Sequence, residues 1–324
     1  MSTRVASVTV VSRTLPPLAA ALAAVVTSHA VPLVGPLLIA LVLGAAVANS
    51  RFADARLFEG HVQVTRFLLR LGIVLIGLRL PVADIASIGV RGIVIIGATV
   101  AITYVLTNAV GSRMELDPRF VTLLAAGFSI CGAAAIAAVN DAVRAKQRDV
   151  ALAVALVTLF GSAMIIILPW LARLVGLTDE QAATWAGASI HEVAQVVAAA
   201  SLLGSGSIAI ATTIKLGRVA MLAPTYMVAA RGSSIPGNAV PLVPWFLTGF
   251  AIAVAARSTD VLPAGVLSVA DTFTTVLLAA GMFGLGLGFR IRDLWPIPPQ
   301  ALALATISTG VAAGSSLAII TMVF

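Results

Sequence analysis

The side chains most capable of chemistry lie close together in the stretch 187–195, within an otherwise apolar segment. They are Ser189, His191, Glu192 and Gln195. Helix positions three or four residues apart share a face, so the spacing predicts one polar stripe. Ionisable groups at membrane depth are costly unless paired or hydrated, and usually face a bundle interior or a water-filled cavity. The pattern favours a functional site over a helix at the membrane surface, because apolar sequence continues beyond Gln195.

A second stretch, 128–135, combines small residues with Ser129 and Cys131 around a helix-weakening Gly132. Where a helix breaks at membrane depth, its second half begins with unpaired N–H groups and the positive end of a dipole. Such an end can bind an anion without a basic side chain. Packing through small residues is the alternative. The likeness between 129–138 and 189–198, both starting Ser-Ile, favours two similar elements facing one cavity.

Two cations one helical turn apart, Lys215 and Arg218, interrupt a third apolar segment. Cations in such a segment need a counter-charge, and Glu192 is the obvious partner. Three interpretations stay open: ligands for an anionic substrate, a structural ion pair with Glu192, or side chains that snorkel to the membrane edge.

The composition requires a lipid environment. The chain has 324 residues, of which 60% are hydrophobic and 10% charged, with a mean hydropathy of +1.08; soluble domains carry about 25% charged residues. Without the alternating pattern of a β-barrel, the sequence predicts an all-α integral membrane protein. The net charge of +7 reflects basic residues in short connections, which is typical of membrane topology rather than of nucleic-acid binding.

No cofactor or metal site is expected. The single cysteine, Cys131, cannot form an intrachain disulfide and has no metal-ligand spacing around it. The His-Glu pair at 191–192 would need a second histidine at 195 to resemble a zinc-protease helix, and that position is Gln195.

Apolar segments predict 10–11 transmembrane helices in one domain, 1–324, without a soluble linker. The eleven predicted spans are 15–31, 33–49, 62–80, 91–111, 119–139, 150–171, 183–203, 207–230, 242–256, 268–289 and 300–323. Lys and Arg counts favour a cytoplasmic N-terminus. The first segment could instead be a signal peptide.

An internal repeat at an offset of 209 residues predicts two related halves, at roughly 15–140 and 183–324. The pentapeptide 30–34 recurs at 239–243. Further matches pair Gly72, Gly77, Leu78 and Asp84 with Gly281, Gly286, Leu287 and Asp293. The offset moves each span by seven places, an odd number, so the halves are expected in opposite orientations. The glycine-rich run 281–288 is expected to permit close helix packing.

Several of these stretches together resemble the YeiH-like sulfate exporter family of prokaryotic inner-membrane proteins. They are 69–80, 131–135, 189–197, 215–218 with 222–224, 244–246 and 249–250. The family is grouped with the bile acid/sodium symporter-like superfamily. The resemblance implies inverted repeats, crossed broken helices, a mobile core against a panel domain, and secondary transport without an ATP-binding module.

The sequence therefore predicts a secondary transporter of a small anion, such as sulfate or a sulfonate, in the lipid bilayer of the prokaryotic inner membrane. A homo-oligomer is left open. The predicted substrate-binding residues are Ser129, Cys131, Gly132, Ala133, Ser189, Gln195, Lys215 and Arg218, with His191 and Glu192 coupling transport to protons. The alternatives are a cation/proton antiporter with Glu192 as ligand, or a membrane-embedded enzyme using His191 and Glu192 as base and acid.

Overall fold

A computed structural model describes residues 2–30, 35–51, 61–204, 206–232, 243–288 and 297–324. The residues within these ranges form helices joined by short connections, and no strand occurs among them. In chain order the helices are α1 (Ser2–Ala30), α2 (Pro36–Ala48), α3 (His61–Ile76, continued by a 3-10 turn, Gly77–Arg79), α4 (Val82–Ser87), α5 (Gly89–Arg113), α6 (Pro118–Ser129), α7 (Ala133–Val143), α8 (Gln147–Leu174), α9 (Asp179–Ser189), α10 (Val193–Ala200), α11 (Ser207–Ala220), α12 (Leu222–Gly232), α13 (Trp245–Ser258), α14 (Ala264–Gly286) and α15 (Pro299–Val323).

By length and composition, the described residues contain five helical segments able to cross a membrane, which confirms the all-α membrane fold. They are α5, α8, the continuous α11–α12 segment, α14 and α15. Four shorter apolar helical segments accompany them: 14–28, α2, α7 and α13.

Each predicted span corresponds to a helix or to a pair of helices. Three predicted spans are interrupted: 119–139 forms α6 and α7, 183–203 forms α9 and α10, and 207–230 forms α11 and α12. The first interruption was expected at Gly132, and the other two were not. Four predicted spans have one end outside the described residues, at 31, at 33–34, at 242 and at 289. Helix α1 packs against α2 and α14, and its alternative interpretation as a cleaved signal peptide stays untested.

The helices form two packed groups. In the first, α14 packs against α1, α2 and α3, and α13 packs against α3. In the second, α15 packs against α5 and α9, and α9 packs against α11. The α2–α14 contact depends on glycine, because a Cβ on Gly44 would strike the Phe283 carbonyl and one on Gly286 would strike the Leu41 carbonyl. Close packing along 281–288 is thereby confirmed.

The helix bounds follow the sequence offset of 209 residues. This offset carries α2 and α5 onto α13 and α15 to within one residue at both ends, and carries the end of α3 to within one residue of the end of α14. Of the matched residues, 31–34, 239–242 and Asp293 lie outside the described residues. The opposite orientation of the two halves stays a prediction.

Candidate functional site

The first break separates α6 from α7 and confirms the interruption expected at Gly132. Helix α6 ends at Ser129, and α7 begins at Ala133. Gly132 has a φ of +78°, a conformation that glycine adopts far more readily than residues with a side chain. A Cβ on Gly132 would also lie 2.7 Å from Cγ of Glu192. This position therefore needs glycine both for its backbone conformation and for the space that Glu192 fills.

The second break has the same length and lies 60 residues later, between Ser189 at the end of α9 and Val193 at the start of α10. The single helical polar stripe predicted for 189–195 is therefore wrong, because the helix is interrupted at 190–192. Glu192 and Gln195 form a capping box: the Glu192 side chain accepts from the Gln195 amide, and the Glu192 amide donates to Gln195 Oε1 at 3.1 Å. Capping of this kind satisfies N–H groups that a helix start leaves without partners. The second break is thus stabilised by its own polar residues.

The Glu192 carboxylate bridges the N-termini of both second half-helices. Besides capping α10, it lies close to the start of α7, where its Oε1 is 3.3 Å from the Cβ position of Gly132 and the Ala133 amide stabilises its charge. Thr158 Oγ1 on α8 donates to Glu192 Oε1 at 3.2 Å. The place where the sequence predicts an anion therefore holds a carboxylate of the chain itself.

Lys215 and Arg218 lie at the opposite ends of the same breaks, where α6 and α9 terminate. Lys215 Nζ donates to the Ile130 carbonyl at 2.6 Å and to the Ile190 carbonyl at 2.7 Å. Arg218 makes five hydrogen bonds of 2.8–3.3 Å, to the carbonyls of Phe128, Ser129, Gly187 and Ile190. Carbonyls at helix C-termini lack intrahelical donors and carry the negative end of the dipole. Lys215 and Arg218 supply these carbonyls with hydrogen-bond donors and also with positive charge.

These contacts correct two interpretations of Lys215 and Arg218. Neither cation forms an ion pair with Glu192, since the described ion pairs within 4.0 Å involve other residues. Neither side chain snorkels to the membrane edge, because both are 0% exposed. Direct binding of substrate by either residue stays a prediction.

A cavity of about 610 Å³ lies beside the starts of α7 and α10, the helices that follow the two breaks. The starts of α7 and α10 form one wall, through Cys131, Ala133, Ala134, Glu192, Val193 and Ala194. The facing wall is mainly apolar, with Arg79, Arg257, Asp271 and Thr275 as its polar members. There Arg79 Nε pairs with Asp271 Oδ1 at 2.6 Å. The cavity therefore has the size typical of a small-molecule site.

Three predicted site residues line this cavity: Cys131, Ala133 and Glu192. Gly132, Gln195, Lys215 and Arg218 support the breaks from behind this wall. The Ser129 hydroxyl donates back to the Ala126 carbonyl at 3.4 Å, and the Ser189 hydroxyl donates to the Trp185 carbonyl at 2.6 Å. Substrate binding by the residues outside the cavity wall stays a prediction.

His191 is fully buried away from the cavity wall. Its ring packs edgewise on Phe128, with centroids 4.6 Å apart. Its Nε2 lies 3.4 Å from Thr309 Oγ1 on α15. These contacts place His191 between the two breaks and α15, and its role in proton coupling stays a prediction.

The polar residues of the facing wall are absent from the predicted site. Arg79 and Asp271 belong to predicted spans three and ten, and Arg257 directly follows predicted span nine. The available signal was a lone acidic residue in span ten and basic residues in span three, because opposite charges in apolar spans usually pair inside a bundle. Nothing in the sequence alone states which pairs form.

A family model described as Conserved hypothetical protein 698 matches residues 14–305. A UPF0324 membrane protein of Corynebacterium glutamicum is 39% identical over 305 residues, which cover 92% of this chain and 88% of the relative. One of Yersinia pestis is 36% identical over 290 residues (84% and 80%), and one of Pseudomonas aeruginosa is 36% identical over 293 (85% and 82%). No solved structure matches. The chain thus belongs to the family described as Conserved hypothetical protein 698, with relatives named UPF0324 membrane proteins.

Proposed function

We propose that this chain is a secondary transporter of a small anion, such as sulfate or a short organic sulfonate, in the prokaryotic inner membrane. One observation carries the proposal: two broken helices direct the N-termini of their second halves at one cavity. In transporters with discontinuous helices, such N-termini point at anionic substrate groups. The dipole and the N–H groups of a helix start attract negative charge without needing a nearby cation.

Glu192 couples anion binding to protons in this proposal. Its carboxylate occupies the anion position when the cavity is empty, through its contacts with both helix starts. An arriving anion would be repelled by that carboxylate at close range. Protonation removes the charge and releases the amides of Ala133 and its neighbours for the substrate. One proton would then accompany each anion that takes this position.

The facing wall assists the same substrate. Arg79 and Arg257 border the cavity, and each already has one acidic neighbour, Asp271 and Asp260 respectively. The two arginines favour entry of an anion. Their acidic neighbours keep the wall as a whole close to neutral. The cavity lies between the two groups of helices, so sliding of one group past the other would alternate its access.

A cation/proton antiporter is the second candidate. Two carboxylates of the cavity wall, Glu192 and Asp271, favour it, because carboxylates are the usual ligands of transported cations and protons. The anion proposal is preferred because the carboxylate of Glu192 is already held by helix-start N–H groups, which repel cations. We further propose that the chain is not an enzyme, since His191 lies outside the cavity wall.

Uptake by proteoliposomes tests the proposal. We expect labelled sulfate or a short alkanesulfonate to enter faster when an imposed pH gradient supplies protons on the same side. Glu192→Gln should retain anion binding but lose the response to the gradient. Glu180→Gln, at an exposed position in the first turn of α9, is the matched control and should behave as wild type. Rates equal to those of empty liposomes would refute anion transport, and sodium movement in their place would favour the antiporter.

A further inference from the structure

The carbonyls at the two helix breaks form a cation-binding surface. Carbonyls of unwound backbone and the C-terminal ends of half-helices coordinate the coupling cation in transporters with broken helices. Five such carbonyls converge here, from Phe128, Ser129, Ile130, Gly187 and Ile190, and the chain's own cations occupy all of them.

We infer that Lys215 is a tethered substitute for a coupling cation, so that the transporter works without bound sodium. The inference rests on the proposed transport function for its mechanism, although cation binding itself can be measured without transport. It assigns Lys215 a positioning role: its ammonium holds the two breaks together at a place where a free monovalent cation would otherwise bind.

The geometry at Nζ resembles that of a bound ion. Its two acceptors are the carbonyl of Ile130 from the first break and the carbonyl of Ile190 from the second. No acidic side chain takes part in these contacts, and Lys215 is 0% exposed. A compact ammonium on a flexible stem acts as a point charge, whereas Arg218 binds the neighbouring carbonyls through a planar fork. Of the two cations, Lys215 is therefore the one that an inorganic ion can replace.

An ion could reach this position from the cavity if the side chain were shortened. Thr212 and Leu216, on the same helix as Lys215, line the cavity, so the stem of Lys215 lies close behind its wall. Lys215→Ala would remove the ammonium and leave the Ile130 and Ile190 carbonyls without this donor. Lys215→Met is the matched control, because its apolar side chain fills much of the same volume and brings no charge.

The experiment measures the thermal midpoint of the purified protein in sodium, potassium or ammonium chloride. N-methyl-D-glucamine chloride at equal ionic strength is the reference, because this cation is too large for the site. We expect Lys215→Ala to show a saturable rise of about 2 °C with at least one small cation, as binding at roughly ten times Kd produces in a chain of this length. Lys215→Met and the wild type should show no such rise.

Two results would overturn the inference. One is a Lys215→Ala midpoint that ignores all three cations, since a purely structural lysine predicts loss without rescue. The other is a saturable sodium response of the wild type, in its midpoint or its anion uptake. If Lys215→Ala does not fold in the reference salt, the yield of folded protein in the three small cations replaces the midpoint: recovery with a small cation supports the inference, and no recovery contradicts it. Failure of anion uptake alone would reject the proposed function and leave the midpoint test valid.

Discussion

The two sides of the helix breaks contain opposite charges in different surroundings. On the first side, where α6 and α9 end, Lys215 and Arg218 are 0% exposed and bound to main-chain carbonyls. On the second side, where α7 and α10 begin, Glu192 borders a cavity of about 610 Å³. Both sides satisfy the ends of half-helices, but among the described residues it is the Glu192 side that borders this cavity.

This difference separates a structural role from an exchangeable one. The cations neutralise carbonyl dipoles in a dry environment, where an unsatisfied carbonyl is costly. The carboxylate performs the corresponding task for N–H groups beside the cavity, where another anion could take its place. The substrate is therefore expected on the Glu192 side, while the side of Lys215 and Arg218 keeps the two breaks in register.

The largest expected effect comes from Arg218→Ala. It removes five hydrogen bonds from four buried carbonyls, and each carbonyl left without a partner costs about 1–3 kcal/mol. We expect a loss of about 3 kcal/mol or more, measured as a lower midpoint of unfolding in detergent. Arg173→Ala is the control, because this exposed arginine donates a single hydrogen bond, to the Leu202 carbonyl. Equal losses in the two variants would contradict the structural role of Arg218.

Gly132→Ala should have the next largest effect, and it should change both the break itself and the position of Glu192. The positive φ is unfavourable for alanine, at a cost of about 1–3 kcal/mol, and the new Cβ would push against Glu192. Both the midpoint and anion uptake should therefore fall. Gly97→Ala in α5 is the control, because nothing lies within 4 Å of its Cβ position. If Gly132→Ala transported and unfolded as the control does, the break would not need glycine.

Glu192→Ala should lower the stability of the chain by less than the upper estimate for Gly132→Ala, which is about 3 kcal/mol. It removes the cap of α10, which is worth about 1 kcal/mol, and the acceptor for Thr158. Glu192→Gln keeps a side-chain oxygen for these donors and should lose less stability than Glu192→Ala. Midpoints of the two variants make the comparison; the capping role is wrong if glutamine costs as much as alanine.

Cys131→Ala should have the smallest effect, about 1 kcal/mol or less. Its side chain borders the cavity, and the proposed contribution of this segment comes from backbone amides, which alanine retains. Anion uptake should therefore persist. Loss of uptake with an unchanged midpoint would instead show that the thiol itself takes part in binding the anion.

The sequence predicts the break at Gly132 and a similar element at 189–198, because these features are local. The break after Ser189 was not predicted, since the spacing of 189–195 fits one continuous helical face. Gly132 weakens one helix, and the Ser-Ile pairs at 129–130 and 189–190 mark equivalent points in both. The polar residues at 191–195 are recognisable for a similar reason, since ionisable groups in apolar segments are rare. These features can be identified without knowing which helices are neighbours.

The partners of those residues could not be predicted, because they depend on tertiary packing. One of the three interpretations paired Lys215 with Glu192, yet Lys215 binds the carbonyls of residues 130 and 190, which the tertiary packing brings to its ammonium. The wall formed by Arg79 and Asp271 brings together residues 192 positions apart. Charge and spacing identify such residues as important but do not state what they contact.

The most direct test of the central claim compares stabilisation by sulfate or a short alkanesulfonate in mildly acidic and mildly alkaline buffer, for wild type and Glu192→Gln. Protonation removes the charge that competes with the anion, so acid should increase the wild-type thermal shift. Glu192→Gln lacks that charge and should respond equally at both pH values. A wild-type shift that is independent of pH, or larger in alkaline buffer, would contradict the claim that Glu192 and the substrate share one anion position.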